Sequence, residues 1–252
     1  MITLAIDFDF GVVREYMFND VILEGVWITL QVAVIAQIIG VILGVLFALM
    51  RVSGSRVLGL FAGIYVWLFR GTPALLQLLI LYFGIPQLFD NQTITTELTA
   101  FRAAIIAFGI NEGAYMTEIM RAGILSVESG QMDAAKSVGM TQMQAMRRIV
   151  LPQAMRVVVP PTGNEFIALL KNSSVAFTIG LVELTGAANL IYSVNFKIME
   201  LLVVAGIWYL VIVTVFSLVQ VEIERALSIG DRDRQQSLFS RMSDMMAGRR
   251  IP

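Results

Sequence analysis

The segment GVWITLQVAVIAQIIGVILGVLFALM, residues 25–50, decides the fold class of this chain. It runs from Glu24 to Arg51 without a charged side chain, and a helix of this length is long enough to cross the hydrocarbon core of a bilayer. A second uninterrupted segment, residues 201–221, lies between Glu200 and Glu222. Both segments are predicted to be transmembrane helices.

The composition of the whole chain also indicates an integral membrane protein. Of its 252 residues, 57% are hydrophobic and 15% are charged, whereas soluble domains average about 45–50% apolar and about 25% charged residues. This length accommodates five or six spans of about 20 residues in one domain. The chain has no cysteine and no histidine, which excludes disulfides, cysteine or histidine metal sites and a histidine general base.

Three further segments are predicted to cross the membrane although they contain ionisable or helix-breaking residues. The sequence thus predicts a polytopic, all-α membrane protein with five spans. Its parts are an extracytoplasmic segment (1–20), a membrane domain (21–229) with spans at about 21–51, 57–89, 102–124, 157–181 and 199–227, a cytoplasmic loop at about 125–156, and a cytoplasmic tail (230–252).

The distribution of lysine and arginine sets the predicted orientation. With the N-terminus outside, thirteen of these residues flank the inner ends of the five spans and three flank the outer ends. Cytoplasmic loops carry the excess of lysine and arginine. We therefore expect a multi-pass protein with its N-terminus outside and its C-terminus in the cytoplasm.

The predicted cytoplasmic loop contains the polar stretch DAAKSVG, residues 133–139. Asp133 is placed in the first turn of a short helix, where the helix dipole favours a negative charge, and Gly139 is placed to end that helix in the left-handed conformation. Thr141-Gln-Met-Gln144 has the pattern of a capping box for a second helix, and Pro152 is expected to limit its length.

The first of these two helices has a low profile. Ala134 and Ala135 carry small side chains that favour close docking of the helix into a cleft of a partner. These local signals fit a solvated helical hairpin as well as they fit a docking element, so both interpretations remain open at the level of local physics.

A wider pattern favours docking. The loop contains the pattern Glu-Ala-Ala, three residues, Gly, nine residues, Ile, one residue, Leu-Pro, with Asp in place of Glu. The matching residues are Asp133-Ala134-Ala135, Gly139 and Ile149-Val-Leu-Pro152. This resembles the cytoplasmic loop of binding-protein-dependent ABC importer permeases. The resemblance implies a type I ABC importer transmembrane domain with a cytoplasmic coupling helix. It also implies that six residues contact an ATP-binding subunit: Asp133, Ala134, Ala135, Gly139, Met140 and Pro152.

The similarity extends over about residues 20–225 and points to the polar amino acid uptake branch of these permeases. The residues that carry it are Arg70-Gly-Thr-Pro73 with Leu76-Gln-Leu78, Ala114-Tyr115, Glu118-Ile119, Arg121-Ala-Gly-Ile124, Pro152-Gln-Ala154, Asn164-Glu-Phe166 and Lys171-Asn-Ser-Ser174. Where that branch often has an acidic residue after the lysine, this chain has Asn172. The acid beside Lys171 is therefore missing.

The resemblance implies a set of partners for a chain that has no ATPase site. They are a second permease subunit in a homodimer or a heterodimer, two ATP-binding subunits, an external amino-acid-binding protein, the amino acid and the lipid bilayer, here the bacterial cytoplasmic (inner) membrane. The chain lacks a Gly-x-x-x-x-Gly-Lys-Ser/Thr phosphate loop, so ATP and Mg²⁺ are expected on the partner subunit. We expect no catalytic residue, metal, cofactor or nucleic acid on this chain.

Several polar residues fall inside the predicted spans, where a charge at the bilayer centre costs from about 2.5 to over 10 kcal/mol. They are expected to face protein or water, either as satisfied ion pairs or as part of a substrate pathway. An amino acid brings a carboxylate and an ammonium group, so a pathway needs both donors and acceptors. The candidates for this pathway are Arg70, Thr72, Glu112, Glu118, Asn164, Glu165, Lys171 and Ser173.

The second predicted span should bend or break near Gly71. Pro73 has no N–H to donate to the carbonyl of Phe69, and Gly71 adds backbone freedom. A break near the midplane can expose polar backbone for a substrate, as in many transporters. A packing kink satisfied by Thr72 is the alternative.

Two other functions compete with an ATP-driven importer. In an ion- or proton-coupled secondary amino-acid transporter, the intramembrane carboxylates would be the coupling groups. An assembly or signalling scaffold without transport would use only the loop.

Overall fold

The computed structural model describes residues 8–89 and 96–227, and all regular elements within these ranges are helical. This confirms the all-α class for the described part of the chain. The predicted tail from residue 230 lies outside it. The helices are α1 (Phe10–Tyr16), α2 (Asp20–Val52), α3 (Arg56–Gly71), α4 (Ala74–Leu79), α5 (Ile85–Phe89), α6 (Ala100–Leu125), α7 (Ser129–Ser137), α8 (Gln142–Ala145), α9 (Leu151–Asn172), α10 (Leu184–Asn195) and α11 (Ile198–Leu227).

Three irregular helical segments join some of these elements. A π-helical turn, Ile80–Gly84, connects α4 to α5, and a second one, Met146–Val150, connects α8 to α9. The 3₁₀-helical segment Ser173–Ile179 extends α9. The chain is therefore continuously helical from Gln142 to Ile179.

Two helices are long and apolar enough to span a membrane alone, and two further candidate spans are pairs of helical segments. By length and hydropathy, α2 and α11 are each able to cross a membrane. Two bent pairs, Arg56–Gly71 with Ala74–Phe89 and Gln142–Ile179 with Leu184–Asn195, raise the number to four if each pair is one span. The more polar α6 does not meet this test. The count of five spans stays a prediction.

The predicted break in the second span is confirmed. Helix α3 ends at Gly71, α4 begins at Ala74, and the axes of the two helical segments differ in direction by 102°. Pro73 adopts an extended backbone (φ −62°, ψ 136°) just before α4, because its ring and its missing N–H cannot continue α3.

The chain divides into two compact units. The first contains the described residues up to Arg121 together with Glu165–Ile212, and the second contains Ala122–Asn164 together with the chain from Val213. Helix α2 packs against both α3 and α10 within the first unit, and the two short helices of the loop pack together within the second.

Helices α2 and α6 approach each other closely in the first unit through small residues. A Cβ added at Gly40 would lie 2.5 Å from Cγ of Glu112, and one added at Gly44 would lie 2.3 Å from Cβ of Met116. Gly40 and Gly44 are four residues apart, which places them on one face of α2. This spacing of small residues is typical of closely packed membrane helices.

The structure also contains a helix that the sequence analysis did not predict. Helix α10 follows Glu183, whose fully buried side chain caps it by accepting hydrogen bonds from the N–H groups of Thr185 (3.1 Å) and Gly186 (2.9 Å). The Tyr209 hydroxyl of α11 donates to the same carboxylate at 2.8 Å. The buried carboxylate thus joins the start of α10 to α11.

Candidate functional site

The first unit contains a cavity of about 560 Å³ beside the break between α3 and α4. This volume lies in the range of about 300–1,000 Å³ that is typical of small-molecule sites. Its polar lining comes from the break, from α6 and from the end of α9. These polar residues are Arg70, Thr72, Asn111, Glu112, Tyr115, Glu165 and Asn172.

Arg70 is the positive group of this cavity. It is the last but one residue of α3, and its guanidinium carbon lies 5.1 Å from the centre of the Tyr115 ring, a cation–π distance. Glu165 of α9 lines the same cavity and interacts electrostatically with Arg70. Opposite charges from two helices thus meet in one place.

Glu112 is the buried acid of the cavity. Its side chain is only 4% exposed because α6 packs closely against Gly40 of α2, and its Oε1 has no hydrogen-bond partner among the described residues. Glu112 interacts electrostatically with Glu165, which has the same charge. The buried Gln37 side chain of α2 also interacts with this carboxyl group, and its own Oε1 likewise has no hydrogen-bond partner among the described residues.

Two amide side chains hold the break open beside the cavity. The amide nitrogen of Gln77 lies 3.0 Å from the carbonyl oxygens of Phe69 and Thr72, and that of Asn111 donates to Phe69 (2.9 Å) and to Oε1 of Gln77 (3.0 Å). The carbonyl of Phe69 is the one that Pro73 cannot satisfy. We call Gln77 and Asn111 the amide clamp, because they replace the backbone hydrogen bonds lost at the break.

The structure divides the eight predicted pathway residues. Arg70, Thr72, Glu112 and Glu165 line the cavity. The other four lie elsewhere. Glu118 accepts a hydrogen bond from Arg121 (2.7 Å) and forms an ion pair with Arg51 (3.7 Å). Lys171 is exposed, and the buried Ser173 donates to the carbonyl of Leu170 (2.8 Å), while Asn164 belongs to the second unit and accepts from Gln220 (3.2 Å).

Sequence reasoning did not select Asn111 or Tyr115 as cavity residues. Both are uncharged, and a charge inside a predicted span is the signal that identified Glu112. The signal that could have found them is their position on α6. Tyr115 follows Asn111 by four residues and Glu112 by three, and both spacings make side chains neighbours on the surface of a helix.

The second unit contains the predicted loop helices. Helix α7 ends at Ser137, and Gly139 follows in the left-handed conformation as predicted, with φ of +84°. It closes a Schellman motif with hydrogen bonds from its own N–H to the carbonyl of Lys136 (2.9 Å) and from the N–H of Met140 to that of Ala135 (3.1 Å). The expected placement of Asp133 in the first turn was wrong. Helix α7 begins at Ser129, so Asp133 lies in the second turn, where the helix dipole has less effect.

The second loop helix starts as predicted and ends differently. The capping box is confirmed, since the Thr141 hydroxyl accepts from the N–H of Gln144 and the Gln144 side chain accepts from the N–H of Thr141. Pro152 was expected to limit this helix, and that expectation was wrong. The π-helical turn at Met146–Val150 widens the helix just before Pro152, so the ring does not clash with the preceding turn and the helix continues.

The loop presents most of its predicted contact residues to its surface. Asp133, Ala134, Gly139 and Pro152 are exposed, and Met140 is half-buried. Ala135 is 3% exposed and supports the hairpin from inside. The exposed apolar side chains of the loop include Val138 (78%), Met143 (74%) and Met146 (41%). Exposed methionines give an adaptable apolar surface for a partner.

Comparison with known proteins relates the chain to membrane transport components. Residues 40–229 match the family described as binding-protein-dependent transport system inner membrane component. The chain is 42% identical over 216 residues to the probable amino-acid permease protein YxeN of Bacillus subtilis, covering 85% of this chain and 95% of that protein. It is 38% identical over 210 residues to the arginine transport system permease protein ArtQ of Bacillus subtilis, covering 83% and 94%.

A solved structure agrees with these relatives. The chain matches a protein in the crystal structure of an amino acid ABC transporter with histidines at a TM-score of 0.76 and 38% sequence identity. The match covers 86% of this chain and 98% of that one.

Proposed function

The chain belongs to the binding-protein-dependent transport system inner membrane component family, and from this premise we propose how it moves its substrate. It is a permease subunit of an ABC importer for amino acids. We assign it a polar amino acid as substrate. The observation that carries this assignment is the cavity at the break between α3 and α4, because it combines Arg70 with the carboxylates of Glu112 and Glu165.

The cavity is proposed to bind the head group of the amino acid. The Arg70 guanidinium is suited to the substrate carboxylate, since it offers a planar set of N–H donors, and its contact with the Tyr115 ring orients it. Glu165, which interacts with Arg70, is suited to the ammonium group. Thr72 adds a hydroxyl at the break.

The loop is proposed to couple this cavity to ATP hydrolysis on a separate subunit. The exposed Asp133, Ala134, Gly139 and Pro152, with Met140 and the apolar side chains of Val138 and Met143, would form the docking surface. ATP-driven closure of two ATP-binding subunits would move two such loops and alternate the access to the cavity. Coupling of this kind requires that the loops make different contacts in the two states.

The complete importer is proposed to contain two permease subunits, two ATP-binding subunits and an external amino-acid-binding protein. ATP and Mg²⁺ would be held by the partner subunits, and this chain would have no ATPase site of its own. We place the protein in the bacterial cytoplasmic membrane with its N-terminus outside, on the basis of the lysine and arginine distribution. The family match favours this ATP-driven complex over a secondary transporter.

Reconstitution of the complex in proteoliposomes tests the proposed function. Amino-acid uptake is expected with ATP and binding protein in the absence of any ion gradient, and a non-hydrolysable ATP analogue should abolish it. Uptake that instead follows a proton or sodium gradient without ATP would contradict the proposal. Substrate-independent ATP hydrolysis without uptake would favour a scaffold.

A further inference from the structure

Two buried polar side chains, Gln37 of α2 and Glu112 of α6, interact where these helices are in direct contact. A Cβ added at Gly40, three residues after Gln37, would lie 2.5 Å from Cγ of Glu112. The two side chains are 9% and 4% exposed, and Oε1 of each has no hydrogen-bond partner among the described residues. A buried acceptor without a donor is costly, so this contact requires a donor.

The other groups around Glu112 do not supply this donor within the described part of the chain. Tyr65 of α3 interacts with Glu112, but its hydroxyl donates to the carbonyl of Ile110 at 2.6 Å. Glu165 of α9 brings a second acid, and Arg70 interacts with Glu165. The ion pairs among the described residues do not include Glu112. An ionised Glu112 would therefore be a buried charge without a cation paired to it.

A proton on Glu112 satisfies both side chains at once. A neutral carboxylic acid has an O–H donor and a carbonyl acceptor, and an amide has N–H donors and a carbonyl acceptor. The two groups can form two reciprocal hydrogen bonds, from the acid O–H of Glu112 to Oε1 of Gln37 and from Nε2 of Gln37 to the other acid oxygen. The second N–H of Gln37 remains available to Sδ of Met116, which lies 3.6 Å from Nε2.

Two other solutions fit this contact less well. Rotation of the Gln37 amide would direct its N–H groups to an ionised Glu112, but the charge would stay buried beside Glu165, which is strongly unfavourable. A metal cation needs more oxygen ligands than the two available here, and the described residues contain no cluster of three or more metal-binding side chains. Burial favours the neutral form of a carboxyl group, so a single proton meets the requirement.

We propose that Glu112 carries a proton and forms a reciprocal acid–amide pair with Gln37, which fixes α6 against α2. Glu112 is then a positioning residue. Its neighbours on α6 are Asn111, which donates to the break between α3 and α4, and Tyr115, whose ring lies under the Arg70 guanidinium. The pair consists of contacts within this chain, so it does not depend on the proposed function.

Infrared spectroscopy tests the charge state, because the C=O stretch of a protonated acid is separate from the absorption of carboxylates. The full chain is purified with the subunits that assemble with it, placed in lipid nanodiscs and exchanged into D₂O at neutral pH. The spectrum of Glu112→Gln is subtracted from that of the wild type. We expect loss of a protonated-acid band without loss of carboxylate absorption. Loss of carboxylate absorption instead would overturn the proposal.

Two further acids serve as controls for this spectrum. Glu24 is exposed, so Glu24→Gln should lower the carboxylate absorption and leave the acid band unchanged. Glu183 is fully buried, and Glu183→Gln identifies any band that belongs to this second buried acid. If Glu112→Gln does not assemble, Glu112→Asp replaces it. Aspartic acid retains a carboxyl group on a shorter side chain, so the acid band should shift, and an unshifted band would contradict its assignment to Glu112.

Gln37→Leu tests the partner in the pair. It removes the acceptor of the acid O–H, so the acid band should move to higher frequency. Gln31→Leu is the same change at a more exposed position of α2 and should leave the band in place. An acid band that does not move in Gln37→Leu would overturn the pairing. None of these measurements requires a substrate or ATP, so their outcome is separate from the success or failure of the proposed function.

Discussion

The cavity and the loop use polar residues in opposite ways. At the break beside the cavity, the Gln77 amide donates to backbone carbonyls and the Arg70 guanidinium lies over the Tyr115 ring. In the loop, the polar side chains are exposed, and backbone hydrogen bonds at Gly139 and Thr141 fix the shape. The cavity therefore depends on side-chain partners, whereas the loop depends on backbone geometry.

The largest effect is expected for Gly139→Pro in the loop. Proline cannot adopt the φ of +84° at this position, and it removes the N–H that donates to Lys136. We expect the substrate-stimulated ATPase activity of the assembled complex to fall more than tenfold, with amino-acid binding in the cavity unchanged within twofold.

Gly139→Ala provides the graded control for this change. Alanine in the left-handed conformation costs about 1–2 kcal/mol and keeps the N–H, so the loss of coupling should be smaller. If Gly139→Pro left the substrate-stimulated ATPase activity intact in a correctly assembled complex, the loop would not depend on its backbone geometry. The contrast between the loop and the cavity would then be wrong.

The next largest effect is expected for Gln77→Leu at the amide clamp. Leucine removes the Gln77 donor to the Thr72 carbonyl and the Gln77 acceptor of Asn111, although Phe69 keeps its bond from Asn111. Each buried group left unsatisfied costs about 1–3 kcal/mol. Binding of the amino acid should weaken about tenfold, and the thermal midpoint of the detergent-solubilised protein should fall. Gln131→Leu is the matched change at an exposed position of the loop and should alter neither measurement.

A smaller effect is expected for Tyr115→Leu. The ring of Tyr115 lies under the Arg70 guanidinium, and a cation–π contact is worth about 0.5–2 kcal/mol. Amino-acid affinity, measured by titration, should fall about three- to tenfold. Tyr115→Phe keeps the ring and should remain within about twofold of the wild type. Equal losses in the two variants would point to the hydroxyl group, and the ring would no longer explain the position of Arg70.

The smallest effect is expected for Thr141→Ala. Loss of an N-cap side chain costs about 1 kcal/mol, and here the effect is confined to the start of α8. Uptake should stay within about twofold of the wild type, while limited proteolysis should cut the loop faster. Gln142→Ala, the exposed neighbour without a capping bond, should be cut at the wild-type rate.

The elements that the sequence predicted well have local causes. The break at Pro73 follows from one missing N–H, the end of α7 from a glycine in the left-handed conformation, and the start of α8 from a capping pattern within four residues. The positions of Asp133 and Pro152 were misjudged because the start of α7 lacks a side-chain cap and the π-helical turn has no sequence signature that we could use.

The cavity could be predicted only in part because it depends on helix rotation and on distant pairs. Lys171 and Asn172 are neighbours in the sequence, yet Asn172 lines the cavity and Lys171 does not, since successive residues of a helix point about 100° apart. The bond from Asn111 to Gln77 joins residues 34 positions apart. Charge within a span identified Arg70, Glu112 and Glu165, but it could not exclude Glu118, whose arginine partners become visible only in the fold.

The close approach of α2 to α6 restricts which walls of the cavity can move. Glu112 and Met116 fill the space that a side chain at Gly40 or Gly44 would need, so α2 and α6 are in direct contact there. We expect these two helices to move as one body that carries Asn111, Glu112 and Tyr115 together. A change in the shape of the cavity during transport would then come from the break between α3 and α4 and from α9.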